Sequence, residues 1–216
     1  MTVSQPDKDK LFKAGIVPVL TITDVSQAVP LAEALVSSGL NVVEITLRTD
    51  CALEAIREIV DADLGCFVGA GTIVRPQDVD DAAKAGSEFL VTPATPPSMI
   101  VPLKTFDGPV IPGVSTPGEA MALADHGFDF LKFFPAEPSG GAAMLKSLSA
   151  PLPHLSFMPT GGISVANASD YLKLPNVIAA GGSWLASSDD LNAKNWDSIR
   201  KKAQAATDLV RSIRPA

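Results

Sequence analysis

Phe130-Leu131-Lys132-Phe133-Phe134-Pro135 is a strand-length apolar run closed by a proline, with a single cation inside it. Side chains alternate faces along a strand, so Phe130, Lys132 and Phe134 share one side. A lysine held between aromatic rings loses hydration, which favours its neutral amine, and a neutral amine is a nucleophile that forms Schiff bases with carbonyl compounds. The plainer alternative is a lysine near a strand end whose ammonium snorkels to water, since lysine is seldom fully buried. The choice between them depends on what the neighbouring strands carry.

Just upstream, Thr116-Pro117-Gly118-Glu119 joins an N-cap, a proline at the first helical position and a capping-box glutamate, and Gly127 closes the helix. A helix leading into a buried strand is thus the local unit, and it recurs in both directions. Strands are expected at 16–22, 41–47, 66–69, 88–92, 110–111, 128–133, 155–158 and 177–180. Helices are expected over 26–38, after a cap at Asp50, from Pro76, after the Pro-rich turn near 97, and over 196–213 with Ile199, Ala203, Ala206, Val210 and Ile213 inward. Pro18 in the first strand and Pro30 in the second helix conflict with those interiors. Residues 1–8 read as a flexible tail, followed by a short helix to Gly15; residues 9–216 read as a single domain. Eight strand–helix units with no linker-like break predict a parallel sheet closed into a (β/α)8 TIM barrel with an N-terminal helix. A doubly wound open sheet is the alternative, and no dinucleotide glycine fingerprint follows the first strand to support it.

The chain has 216 residues, 46% hydrophobic and 19% charged, with a formal charge of −7 and pI near 4.8. That balance argues against nucleic-acid or membrane-surface partners, so an anionic substrate must be held by a local site. Cys51 and Cys66 lack metal-type spacing and suit a reducing cytoplasm. The polar N-terminus has no apolar signal core, and no run is long enough to span a bilayer. His126 and His154 are the two histidines, so no two-histidine metal motif exists and no metal is expected. His126 reads as a helix-terminal residue, His154 as a loop residue, Trp184 and Trp196 as packing residues, and Asp189-Asp190 as a solvated loop.

In such a barrel the chemistry gathers where strands end. On the second strand Glu44, Thr46 and Arg48 share a parity, and a buried carboxylate and guanidinium need each other or a ligand. A structural Glu44–Arg48 pair and a catalytic arrangement with Lys132 are both open at this point. Gly69-Ala70-Gly71-Thr72 ends the third strand, where glycines would let a ligand approach the backbone and Thr72 offers a hydroxyl. Pro159-Thr160-Gly161-Gly162-Ile163, with Ser164 placed to cap a helix, ends the seventh strand; Ala180-Gly181-Gly182-Ser183-Trp184 ends the eighth. Two Gly-Gly turns at these ends can hold a phosphate on backbone N–H groups, aided by a helix N-terminus.

Taken together, Glu44-Ile45-Thr46-Leu47-Arg48-Thr49, Gly69-Ala70-Gly71-Thr72, Ile111-Pro112-Gly113-Val114-Ser115-Thr116, Lys132-Phe133-Phe134-Pro135-Ala136-Glu137, Pro159-Thr160-Gly161-Gly162-Ile163 and Gly181-Gly182-Ser183-Trp184 resemble the 2-dehydro-3-deoxy-phosphogluconate aldolases. These are class I, Schiff-base aldolases on a (β/α)8 barrel, linked also to 4-hydroxy-2-oxoglutarate aldolase activity. The six blocks span about residues 14 to 190 in one order.

The resemblance implies Lys132 as the Schiff-base lysine and Glu44 as the general acid/base. It implies Arg48 and Thr72 on the pyruvate carboxylate, Thr160 on the substrate, and Phe134 packed beside the lysine. Gly161, Gly162, Gly181, Gly182 and Ser183 fall on its phosphate loops. Val91-Thr92-Pro93-Ala94-Thr95 keeps the family's substrate-side proline at Pro93, but has Thr92 and Ala94 where serine and glycine are common, and Ala94 adds a methyl that limits the backbone. It further implies a 2-keto-3-deoxy sugar-acid phosphate as substrate, no cofactor beyond the lysine adduct, and a homotrimer. Another phosphate-binding barrel lyase or isomerase, and a non-catalytic sugar-phosphate binding protein, are the competing readings. The first would use the same glycine loops; the second gives Lys132 no task.

Overall fold

The computed structural model of the chain describes residues 3–214; the outermost residues of the expected tail and domain lie outside that range. Helix α1 (Gln5–Ala14) opens it, capped by Ser4 and ended by Gly15 at φ 66°. The helix takes up much of the stretch expected as a flexible tail, because Pro6 suits a first turn and Val3 finds a buried seat.

Alternation follows: β1 (Ile16–Leu20), α2 (Ala28–Val36), β2 (Val42–Thr46), α3 (Ala52–Asp61), β3 (Phe67–Gly71), α4 (Pro76–Lys84), β4 (Phe89–Val91) and α5 (Pro97–Leu103). Pro112 splits the next strand into β5 (Val110–Ile111) and β6 (Gly113–Val114). Then come α6 (Pro117–Asp125), β7 (Phe130–Phe133), α7 (Gly141–Leu148), β8 (Ser156–Pro159), α8 (Ala168–Leu172), β9 (Ala180–Gly182), α9 (Ser188–Asn192) and α10 (Trp196–Ile213).

Every strand pair is parallel. Six strands run in the order β5-β4-β3-β2-β1-β9 and three in the order β6-β7-β8. Pro112 links the two sheets at one seam, and the bridges Phe157↔Val177 and Thr160↔Gly181 link them at the other. The ring is therefore closed, with eight staves once β5 and β6 are counted as one, and the open-sheet alternative is set aside.

Strand parity divides the core in two. Val17, Val42, Phe67, Phe89, Val91, Ile111, Phe130, Met158 and Ala179 point into the lumen, where Leu11 and Ala14 of α1 close its lower end. Leu131 and Phe133, the odd neighbours on β7, pack outward against the helices. Phe67 and Phe89 stack with centroids 5.0 Å apart. Each such ring withdrawn from water contributes about 1.5–3 kcal/mol. Phe130→Ala should open a cavity under Lys132 and lower unfolding free energy by about 3–5 kcal/mol; an unchanged urea midpoint would count against a filled lumen.

Several local expectations shift. Pro30 falls in the first turn of α2, where a missing N–H costs nothing, and Pro18 lies inside β1 rather than at its start. Helix α3 is preceded by Cys51, without a side-chain cap; Thr49 Oγ1 donates to the Ile22 carbonyl at 2.6 Å, so the turn runs past Asp50. The last strand sits at Ala180–Gly182, later than 177–180, because Val177 makes only an isolated bridge. Ser164 caps no helix: its hydroxyl accepts the Ala166 N–H, and α8 starts after Asn167. Asp189 and Asp190 are not loop residues but form the first turn of α9, with Asp190 buried in a capping box and paired to Lys202, which holds its carboxyl well below the usual range.

Candidate active site

Two residues above Phe130 on the same face of β7, Lys132 enters the upper lumen. Only 4% of it is exposed, and its Nζ donates to Glu44 Oε1 at 3.1 Å; Glu44, on β2, is 0% exposed. The pair crosses the barrel between strands far apart in sequence. Phe134 lies with its ring centroid 5.5 Å from the amine. A buried ion pair of this kind is not an economical way to stabilise a fold, since desolvation offsets its Coulomb gain. What it does supply is a proton donor and acceptor in contact, out of bulk water.

The lumen has room for these side chains because inner positions of neighbouring strands are glycine. A Cβ on Gly71 would lie 2.1 Å from Glu44 Oε1, one on Gly69 2.3 Å from the Phe89 ring, and one on Gly181 2.2 Å from Thr160 Oγ1. Gly69 and Gly71 thus admit Phe89 and Glu44. Gly181 and Gly182 lie within β9 rather than in a loop; a Cβ on Gly182 would strike the Trp184 ring at 2.1 Å.

Arg48 stands exposed just beyond β2 and does not pair with Glu44. Its Nε donates to Thr72 Oγ1 at 3.0 Å. Thr72 holds φ 61°, a conformation costing about 1 kcal/mol or more in a non-glycine residue, and its hydroxyl meets the guanidinium there. Glu44 Oε2 and Thr160 Oγ1 are buried without a protein partner. A buried polar atom left unpaired costs about 1–3 kcal/mol, and both of these lie on lumen-facing positions, at β2 and just beyond β8.

Beyond Thr160 the chain turns at Gly161 (φ 99°) and Gly162 (φ 78°), values open to glycine. Among the described residues, the N–H groups of Gly162 and Ile163 have no protein acceptor. Helix α8 begins only at Ala168, so these amides stand apart from the helix end that the sequence suggested. Ser183 is exposed at the end of β9.

Residues 8–202 match the family described as "Aldolase: KDPG and KHG aldolase". The chain belongs to the KDPG and KHG aldolase family. It is 42% identical to the KHG/KDPG aldolase of Escherichia coli (strain K12) over 198 residues, covering 92% of this chain and 93% of that one. It is 41% identical to the 2-dehydro-3-deoxy-phosphogluconate aldolase of Pseudoalteromonas atlantica over 199 residues, covering 92% and 93%. It also superposes on the crystal structure of KDPG aldolase from Legionella pneumophila, in which pyruvate was captured at low pH as a covalent carbinolamine intermediate. There the TM-score is 0.90 at 35% identity, covering 94% of this chain and 98% of that one.

As a KDPG/KHG-family aldolase the protein is a carbon–carbon lyase. At this aldolase's departure from the common pattern, Thr92 is buried, accepts the Gly113 N–H at 2.8 Å and shares a hydrogen bond with Thr95 at 2.8 Å, so the hydroxyl a serine would provide is kept. Pro93 is half-buried beside it, its carbonyl oxygen 2.4 Å from a Cβ built on Gly113, and Ala94 is exposed. Thr46, one step above Glu44, donates to the Leu20 carbonyl and accepts from Thr21, both at 2.9 Å. Period-two spacing from Glu44 marks Thr46; nothing in the sequence marks Thr21, nor the contact between Tyr171 and Glu137.

His126 caps α6 at its C-terminal end and His154 sits exposed in a loop, both outside the lumen. Trp184 and Trp196 pack against the outer core. Cys51 and Cys66 are free thiols, and burial, with the Glu88 charge second, pushes Cys66 up to about 12. A cavity of 540 Å³, lined by Lys10, Lys13, Asn41, Cys66 and Phe67 among others, opens at the opposite end of the barrel and touches neither Lys132 nor Glu44. Among the described residues no helix is long and apolar enough to cross a membrane.

Proposed function

We propose that Lys132 is the Schiff-base amine for cleavage of 2-dehydro-3-deoxy-6-phosphogluconate to pyruvate and glyceraldehyde 3-phosphate, with Glu44 as its acid/base. The buried 3.1 Å contact between Lys132 Nζ and Glu44 Oε1 carries this function. The Lys132 amine, its proton passed to Glu44, attacks the C2 carbonyl. Glu44 returns that proton to the carbinolamine hydroxyl, which leaves as water to give an iminium, an electron sink, and the free carboxylate. Glu44 takes the C4 hydroxyl proton, directly or through one water. The C3–C4 bond breaks, its electrons entering the iminium to give an enamine, and the aldehyde leaves. Protonation at C3 and hydrolysis release pyruvate and the free lysine. The same lysine chemistry on 4-hydroxy-2-oxoglutarate would yield pyruvate and glyoxylate.

In this reading Arg48 and Thr72 hold the pyruvate carboxylate, Phe134 and Pro93 bound the reacting carbons, and Thr160 donates to the substrate. The free amides at Gly162 and Ile163, with Gly161 and Ser183, hold the phosphate, while Gly181 and Gly182 make space for Thr160 and Trp184. A remote grip of this kind helps orient the reacting bond. The enzyme works in the cytoplasm as a homotrimer; a one-chain mass in sedimentation would remove the trimer from this account.

Borohydride reduction in the presence of pyruvate should fix a pyruvyl mass on Lys132, read by peptide mapping. An adduct elsewhere, or none, overturns the assignment. Arg48→Lys keeps the charge but loses the planar fork. KM for pyruvate in the condensation direction should rise about tenfold; an unchanged KM would free Arg48 from the carboxylate.

A further inference from the structure

We propose that the hydrogen bond between Tyr171 and Glu137 braces the Gly161–Gly162 turn in its phosphate-accepting shape, making both of them positioning residues for phosphorylated substrates. This rests on the phosphate reading given above.

Two glycines in the left-handed region can move freely unless something holds them. One face of the turn is held by the segment after β7. The Glu137 N–H donates to the Gly161 carbonyl at 3.1 Å and the Ala136 N–H to the Thr160 carbonyl at 2.7 Å. The Glu137 stem lies flat on the turn: a Cβ on Gly162 would sit 2.6 Å from Glu137 Cγ. The other face is held by the residue capping α8, since Asn167 Nδ2 donates to the Gly162 carbonyl at 3.1 Å while its Oδ1 accepts the Ser164 N–H at 2.8 Å. Both glycine carbonyls are thereby tied inward. The peptide planes are fixed, and the Gly162 and Ile163 N–H groups are left for a ligand.

Glu137 itself is exposed, and an exposed glutamate ordinarily samples many rotamers. Here its Oε1 accepts the Tyr171 hydroxyl. Tyr171 is 0% exposed on α8, so its ring is immobile in the core. Burial first, and the Glu137 carboxylate second, hold that phenol well above its ordinary range, so it remains a donor at any working pH. Helix α8 thus grips the turn directly through Asn167 and indirectly through Tyr171 and Glu137. Neither Tyr171 nor Glu137 is bonded to Lys132 or Glu44.

The test compares kcat/KM for 2-dehydro-3-deoxy-6-phosphogluconate and for 4-hydroxy-2-oxoglutarate in wild type, Tyr171→Phe, Glu137→Ala and Glu137→Gln, with thermal midpoints as a folding check. The phosphorylated-to-unphosphorylated ratio should fall about tenfold in Tyr171→Phe and Glu137→Ala, the size of one lost hydrogen bond to a charged group, and mostly through KM. Glu137→Gln, which keeps an acceptor for the phenol, should lose less than Glu137→Ala. Equal losses on both substrates, or an unchanged ratio in a wild type that prefers the phosphorylated one, overturn the brace alone. A wild type with no preference for the phosphorylated substrate overturns the phosphate reading and the brace together.

Discussion

Lys132→Met is expected to abolish aldol cleavage, lowering kcat by about four orders of magnitude or more, as removal of a nucleophile does elsewhere. Without the amine no iminium forms, and the C3–C4 electrons have no sink. Methionine is the sharper substitution because it fills the lumen; Lys132→Ala would remove volume as well. Both leave Glu44 buried without its cation, and breaking one half of a buried pair costs about 3–5 kcal/mol. Stability should therefore fall along with activity, and circular dichroism at low temperature is needed to confirm a folded barrel before turnover is read. Cleavage surviving in a folded Lys132→Met protein would rule out the lysine mechanism.

Glu44→Gln separates adduct formation from bond cleavage. Glutamine keeps the size of the side chain and an oxygen for Lys132 Nζ, but cannot shuttle a proton. Loss of positioned acid/base catalysis is worth about 10²–10⁴ in rate, so kcat should drop by that factor with KM little altered. Borohydride should still trap pyruvate on Lys132 in this variant, more slowly, because water has to take the amine's proton in place of Glu44. A kcat within twofold of wild type would reduce Glu44 to a counter-ion. Failure to trap any adduct would mean that the carboxylate is already needed for iminium formation.

The barrel and its lysine were legible because they depend on short-range rules. Parity over Phe130–Phe134 sorts inner from outer residues, and the packing follows it: Phe130 inward, Leu131 and Phe133 outward. The capping box at Thr116–Glu119 places α6 correctly. Less legible was whatever depends on which strands face each other. Glu44 has Arg48 as its nearest cation in sequence, yet it pairs with Lys132, a choice made only when β2 and β7 meet across the lumen. The purposes of Gly71 and Gly181 belong to Glu44 and Thr160 on adjoining strands, so neither glycine shows its role by itself. Asp190 reads as solvated until Lys202, on α10, is folded against it. The family resemblance pointed to the phosphate turn, but not to the Tyr171 contact behind it, since Tyr171 lies 34 residues from Glu137.

The filled lower lumen has a consequence for traffic. Phe89, Phe130 and Met158 form a floor beneath Lys132, and α1 closes what lies below. That floor separates Lys132 from the cavity at the opposite end of the barrel. In the proposed mechanism the three-carbon fragment tethered to Lys132 would lie directly on that floor, so the aldehyde would leave first and pyruvate last. Run backwards, the same mechanism would have pyruvate board before the aldehyde arrives.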